Sequence, residues 1–152
     1  HARLLKPKPA DFNSVYKSVS EYKTRYPEKA VIYAGDKFPE LGWAALMAGG
    51  SLSNVPAKAK SLIAAPVAAM KPVTIGNTYA LKGDNGYLVY FSGSDESAQV
   101  HLTAFAKQQL TAYWINERSG EYTAEKQLIK GGGIQSFKPN SGGQKILLLL
   151  KK

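Results

Sequence analysis

The sequence predicts a mainly β protein, an antiparallel β-sandwich preceded by an α-helical segment. From Val73 onward, short apolar runs alternate with turn residues at the spacing of an all-β sandwich. Before Ala65, apolar residues recur instead at helical intervals. Between the two lies Ala64–Pro72, with two prolines and four alanines, which has the composition of a connector. The expected organisation is residues 1–65 as a helical and α/β unit, 66–72 as connector and 73–152 as sandwich.

A chain of 152 residues with 44% hydrophobic content can bury a real core. Charged residues make up 20%, too few for a disordered polyelectrolyte. The opening Leu4-Leu5-Lys6-Pro7-Lys8-Pro9 is too proline-rich for a helix and predicts an extended lead-in. Asp11 then suits a helix N-cap, and Phe12, Val15, Tyr16, Val19, Tyr22 and Tyr26 form one apolar and aromatic stripe ending at Pro27, most simply a packing face. Ala30–Gly35 predicts a short strand closed by glycine, and Asp36–Glu40 a loop into a helix over Leu41–Ala48 that Gly49-Gly50 stops. Pro39 and Glu40 suit that helix's first turn, the proline by its fixed φ and the acid by the helix dipole.

The Leu41–Ala48 helix is apolar on every side, and such a helix is normally buried all round. The expectation is that this chain is too small to surround it while also building the sandwich, so that the segment reads as cut from a larger α/β body. His1 in place of an initiating methionine points the same way. Ser53–Pro56 breaks the chain, and Ala57–Ala65 predicts a short helix ahead of Pro66.

In the second half, Asp84-Asn85-Gly86 between two β-rich runs predicts a tight hairpin, because Asn-Gly readily supplies positive φ angles. Further strands are expected over Gln99–Thr103, Leu110–Ile115, Tyr122–Thr123, Gln127–Ile129, Ile134–Phe137 and Lys145–Leu150. The run Ile146–Leu150 is apolar at every position, which predicts a central strand covered on both faces.

Several function classes are excluded or weakened. The chain has no cysteine, so disulfides, thiolate nucleophiles and cysteine-ligated metals are out. No apolar run approaches the roughly 20 residues that cross a bilayer, so no membrane partner is expected. The net charge of +9 invites a nucleic-acid reading, but residues 1–60 carry ten basic and five acidic side chains and residues 61–152 ten and six. The excess is spread as +5 and +4 without a dense run, which predicts a solvated lysine-rich surface, no nucleic acid, and at most a face for a polyanion such as an acidic polysaccharide.

With two histidines, His1 and His101, a catalytic triad or a two-histidine metal site would need the terminal residue; no metal and no cofactor are expected. His101 sits in a predicted strand and reads as a surface histidine. Most carboxylates, Asp84, Asp95, Glu96, Glu117 and Glu121 among them, fall in turns where turn-forming or solvated roles suffice. Asp36 differs, since it follows a strand and precedes a buried helix, the junction at which barrel enzymes build active sites, although helix capping alone would justify it. Gly131-Gly132-Gly133 is no phosphate loop, lacking the Lys-Ser/Thr and the helix, and reads as a turn. Tyr87, Tyr90, Tyr113 and Trp114 could supply a sugar-stacking surface; alternation sends Tyr113 and Trp114 to opposite faces, so at least one belongs to the core. Asp36, Tyr113 and Trp114 are the candidate substrate-binding residues.

The stretches Gly86–Phe91, Leu110–Glu121, Phe137-Lys138-Pro139 and Ile146–Leu150 resemble the β-sandwich at the end of bacterial glycoside hydrolases, also labelled a collagen-binding domain. Trp114-x-x-x-Arg118-Ser119-Gly120-Glu121 is the most specific part, and Arg118–Glu121 reads as a turn with Gly120 supplying the permissive backbone. Upstream, Gly42–Leu52 resembles the last helix of the (β/α)8 barrel that precedes such a sandwich, with Ala30–Gly35 as the last barrel strand. The resemblance implies a secreted or periplasmic enzyme acting on polysaccharide, with its catalytic carboxylates on earlier strands that this chain does not match. The chain is then a C-terminal fragment whose partners are polysaccharide or the remainder of the parent enzyme. The alternatives are an autonomous module that binds carbohydrate or an extracellular protein such as collagen, and a structural sandwich without ligand.

Overall fold

The structure is a computed structural model of the 152-residue chain and describes residues 10–34, 39–52, 55–93, 96–140 and 143–152. The expected lead-in Leu4–Pro9, the loop at 35–38 with Asp36, the break at Ser53-Asn54, and Asp95 lie outside the described residues.

Among the described residues, three α-helices come first: α1 (Phe12–Arg25), α2 (Glu40–Met47) and α3 (Ala57–Val67). Asp11 caps α1 as its sequence predicts, its carboxylate accepting from the Ser14 N–H at 2.7 Å while the Ser14 hydroxyl accepts from the Asp11 N–H. α3 runs through Pro66, in its last turn, past the expected stop at Ala65. Nine strands follow, β1 (Lys71–Ile75), β2 (Thr78–Gly83), β3 (Gly86–Tyr90), β4 (Ala98–His101), β5 (Gln109–Asn116), β6 (Tyr122–Ala124), β7 (Ile129–Lys130), β8 (Ile134–Phe137) and β9 (Gln144–Lys151), with a 3-10 turn at Thr103–Phe105. β1 extends into the stretch expected to be connector; as an edge strand it tolerates Pro72, whose missing N–H would break a central ladder.

Seven strands form one antiparallel sheet in the order β1-β2-β3-β9-β5-β6, with β7 pairing the start of β5, and β4 and β8 form a second sheet. β9 is central, as its continuous apolar run implies. Ile146 and Leu148 face the helices, Leu147 and Leu149 face the small sheet, and all four have no exposed surface. The molecule therefore has three layers, helices over a large sheet over a small sheet, with one hydrophobic core in each gap.

The β2–β3 hairpin is where the sequence places it, but its turn is built differently. Gly83 pairs Gly86, so Asp84 and Asn85 form the two-residue loop, and neither has a positive φ. Gly86 is required for a long-range reason: a Cβ there would stand 1.8 Å from the Leu149 carbonyl oxygen on β9.

α2 is buried on all sides within this chain, from Leu41 at 1% exposed through Trp43 and Met47 at 0% to Ala48 at 3%. The expectation that 152 residues could not surround it is overturned. α1 covers one flank, where Val19 meets Ala45 and Ala48, and the helix-facing side of the large sheet with α3 covers the other. The aromatic stripe of α1 is a packing face only in its first half. Phe12 stacks on Tyr90 at 4.4 Å and Tyr16 meets Tyr79 at 4.5 Å, whereas Tyr22 and Tyr26 are exposed and lean on each other at 4.9 Å.

Ala30–Ala34, expected as a strand, enters no sheet among the described residues. Ser51 N–H donates to the Val31 carbonyl at 2.7 Å, and Ile32 is 60% exposed.

Candidate functional site

Of the three residues singled out for substrate contact, the two that are described, Tyr113 and Trp114, are not brought together. Asp36 lies outside the described residues. Trp114 and Tyr113, adjacent on β5, point to opposite faces of the large sheet. Trp114 belongs to the core against the small sheet, 5.9 Å from the Phe91 ring, and its indole N–H donates to Glu125 Oε1 at 2.8 Å. With 4% of its surface exposed, it offers no free ring face to a ligand. Tyr113 is half-buried on the helix side and meets Tyr122 edge-on, 6.1 Å between centroids at 77°.

Tyr122 is the ring that reaches solvent. It lies on β6, the edge strand of the large sheet, and Tyr113 buttresses it from behind. Tyr122, Thr123, Glu121, Lys58 and Ser61 line an open depression of about 460 Å³ between β6 and the first half of α3. The turn before β6 sets this geometry. Asn116 Oδ1 accepts from the backbone N–H of Arg118 and of Ser119, both at 3.0 Å, and Gly120 takes φ +73 as the sequence predicts. Gly120 also lets α3 approach, because a Cβ there would stand 2.7 Å from Pro56 Cβ and 2.8 Å from the Ala59 nitrogen. Across that contact Lys58 Nζ meets Glu121 Oε1 at 2.7 Å, and this hydrogen bond, with the lysine's charge, holds the Glu121 carboxyl below its usual range. Both partners are exposed, so the pair orients the depression more than it stabilises the fold. A flat, edge-supported phenol ring beside two hydroxyls and an ion pair can stack a sugar face and bond its hydroxyls.

Nothing in the sequence singles out Tyr122. It stands in a three-residue strand, and its exposure follows from that strand being an edge, which only the pairing order reveals.

Glu117, expected to be solvated, is buried between the layers. The Trp43 indole of α2 donates to the Glu117 carbonyl oxygen at 2.9 Å, Lys145 Nζ lies 3.6 Å from its carboxylate, and that carboxylate accepts from the Tyr90 hydroxyl. Burial first, and the Glu117 charge second, push the Tyr90 phenol far above its ordinary value. Glu117 is thus committed to Lys145 and Tyr90, and Glu121 to Lys58, so neither is presented as a catalytic acid or nucleophile. A second, polar depression of about 560 Å³ is lined by residues including Thr74, Asn77, Glu96, Gln99 and His101. His101 is exposed there. Among the described residues, no three His, Asp or Glu side chains gather as a metal set.

The three layers and the Trp114–Glu121 turn define a helix-backed antiparallel β-sandwich. The chain belongs to the family described as "Putative collagen-binding domain of a collagenase", whose model matches residues 60–150. Residues 1–70 match a second model, described as a domain of unknown function, DUF6298. The fold is similar to that of a solved structure described as a glycoside hydrolase, with a TM-score of 0.68 at 13% identity, over 99% of this chain and 49% of that one. It is also similar to a glycoside hydrolase family 5 protein from Bacteroides vulgatus ATCC 8482, with a TM-score of 0.54 at 16% identity, over 72% of this chain and 35% of that one. This chain thus spans about half the length of the first of these structures and about a third of the second. No curated protein matches it in sequence.

Proposed function

We propose that this chain is part of a larger glycoside hydrolase, in which residues 73–152 form an accessory sandwich supporting the catalytic barrel and residues 1–65 belong to the end of that barrel. The observation that carries the reading is Ala30–Ala34, a strand-like run without a sheet partner among the described residues, with Ile32 60% exposed. Such a run leaves strand edges and an apolar side chain that a neighbouring barrel strand would cover. The recurrence of the whole helix-plus-sandwich arrangement inside about half of a glycoside hydrolase supports it. Asp36, which follows Gly35 after this run, is the chain's candidate for sugar contact, a position that helix capping alone would also justify. A secreted or periplasmic setting fits a polysaccharide substrate; no helix among the described residues is long and apolar enough to cross a membrane.

The test compares the full gene product with residues 1–152 on a panel of polysaccharides. The long protein should cleave one of them and the short chain none, and Ile32→Asp in the long protein should lower activity while the isolated chain folds unchanged. Cleavage by the short chain alone overturns the proposal. A second reading, an autonomous carbohydrate-binding module, is favoured by the Tyr122 depression. It predicts that the short chain is retarded in gels containing one of the same polysaccharides and that Tyr122→Ala abolishes the retardation.

A further inference from the structure

At the end of the large sheet remote from the Trp114–Glu121 turn, the structure gathers four lysine side chains. Lys107, Gln108, Gln109, Lys130, Lys151 and Lys152 line an open groove of about 770 Å³, and all six side chains are exposed. The pairing of the sheet creates the cluster. Gln109 on β5 pairs Lys130 on β7, and on β5's other side the Lys152 N–H donates to the Gln109 carbonyl at 2.9 Å, with Lys151 pairing Leu110. Adjacent strands stand about 4.8 Å apart, so lysines from β7 and β9 flank one glutamine across three strands. No Asp or Glu side chain lines the groove among the described residues.

Lys107 closes the groove, and its backbone is costly. It is the one non-glycine residue with positive φ among the described residues, at +64, a conformation in which L side chains are uncommon and glycine is not penalised. Its loop is pinned on both sides, the Gln108 N–H donating to the Phe105 carbonyl at 3.0 Å and the Gly131 N–H to the Gln108 carbonyl at 2.8 Å. Gly131 makes the approach feasible, since a Cβ there would stand 1.9 Å from the Phe105 oxygen. The chain thus holds a lysine where the backbone favours glycine, and adds its charge to three others.

We infer that this groove binds an anionic polysaccharide, a polymer whose repeating carboxylates or sulfates neutralise the lysines while Gln108 and Gln109 bond its hydroxyls. Four lysines with no Asp or Glu side chain among the described lining residues make the groove cationic, so affinity arises from charge complementarity and falls with salt. The glutamine amides match sugar hydroxyls as both donors and acceptors. Among the described residues, no aromatic ring lines the groove to stack bases, which disfavours a single-stranded nucleic acid. The choice of polysaccharide over other polyanions rests on the glycoside hydrolase reading above; the binding itself does not.

The test measures binding of residues 1–152 to polygalacturonate and dextran sulfate, with neutral dextran and a DNA duplex as references, by isothermal titration at several salt concentrations. One acidic polysaccharide should bind, neutral dextran should not, and the triple variant Lys107→Gln, Lys130→Gln, Lys151→Gln should lose at least tenfold in affinity with a shallower salt dependence. A control triple, Lys17→Gln, Arg25→Gln, Lys138→Gln, changes net charge equally and should lose less than threefold. Lys107→Gly is the decisive single variant, since it relieves the backbone and so should hold or raise the melting temperature while weakening binding. Equal losses in both triples, or no acidic polysaccharide bound, overturn the proposal. DNA bound more tightly than either acidic polysaccharide through the same lysines overturns the polysaccharide assignment. Binding is read without hydrolysis, so an inactive long protein would sink the glycoside hydrolase reading and leave this result standing.

Discussion

Tyr90 and Glu117 place polar atoms in the gap between the helical layer and the sheet. Phe12 covers the Tyr90 ring, its hydroxyl donates to Glu117, and Glu117 in turn is held by Lys145 and by the Trp43 indole on its carbonyl. Removing the hydroxyl with Tyr90→Phe leaves the buried carboxylate one partner short and should cost about 1–2 kcal/mol at neutral pH. The same residue gives the chain an alkaline signature. Both folded and unfolded Tyr90 are neutral below the ordinary value of 10.0, so stability there does not depend on its titration. Above it the unfolded phenol ionises while burial and Glu117 keep the folded one protonated, so stability falls as pH rises, by up to about 1.4 kcal/mol per pH unit. Urea melts from pH 8 to 11 should show that fall, and Tyr90→Phe should make it shallower. Tyr16, raised by burial and then by Tyr79, adds a contribution of the same sign that the variant retains. None of this was legible in the sequence, where Glu117 is one more acid in a turn; its burial follows from α2 docking 74 residues away in sequence.

Among the elements, the turns separate what local sequence decides from what packing decides. Gly120 and Gly76 both have positive φ, +73 and +55, and a side chain is strained at either. At Gly76 a Cβ meets nothing within 4 Å, so Gly76→Ala should cost about 1–2 kcal/mol from backbone strain alone. At Gly120 the added carbon also strikes Pro56 and the backbone of α3, which cannot yield without moving the helix. Gly120→Ala should therefore cost clearly more, about 3 kcal/mol or above, with chemical denaturation of the two variants as the check. The permissive backbone at Gly120 was readable from Arg118–Glu121, whereas its contact with α3 was not. The hairpin at Asp84-Asn85 teaches the converse: a local Asn-Gly signal placed the turn, but Gly86 is set by the Leu149 carbonyl of a strand more than 50 residues on. Periodicity and turn residues found eight of the nine strands, and missed β1 because Pro72 and the neighbouring alanines resemble a linker. The candidate site fared worse, since stacking on Tyr122 depends on which strand is the edge, and the Lys107 groove assembles from three separate stretches of chain.

At the scale of the whole molecule, the division into a helical part and a sandwich is visible in sequence, yet the two share one core. Trp43, Leu46 and Met47 of α2 pack in the same cluster as Leu81, Leu88, Ile115, Ile146 and Leu148 of the sheet. An isolated helix of eight residues is unstable in water, so α2 exists because the sheet and α1 cover it. The dependence runs the other way as well. Stripping the helices would expose those five sheet residues, each contributing about 1.5–3 kcal/mol when buried, a loss on the order of 10 kcal/mol and comparable to the full stability of a domain. The chain should therefore unfold in one transition, with amides of α2 and of β9 exchanging through the same global opening in native-state hydrogen exchange. A fragment covering residues 71–152 should be unfolded or aggregated at room temperature, the helix-facing side of its central strand having become an exposed apolar patch. If α2 instead exchanged by a separate, lower-energy opening while β9 stayed protected, the helical layer would be an appendage to an independent sandwich. Support of a catalytic body through the helices would then lose its physical basis, because a layer that detaches easily cannot transmit rigidity from the sheet to whatever packs on its outer side.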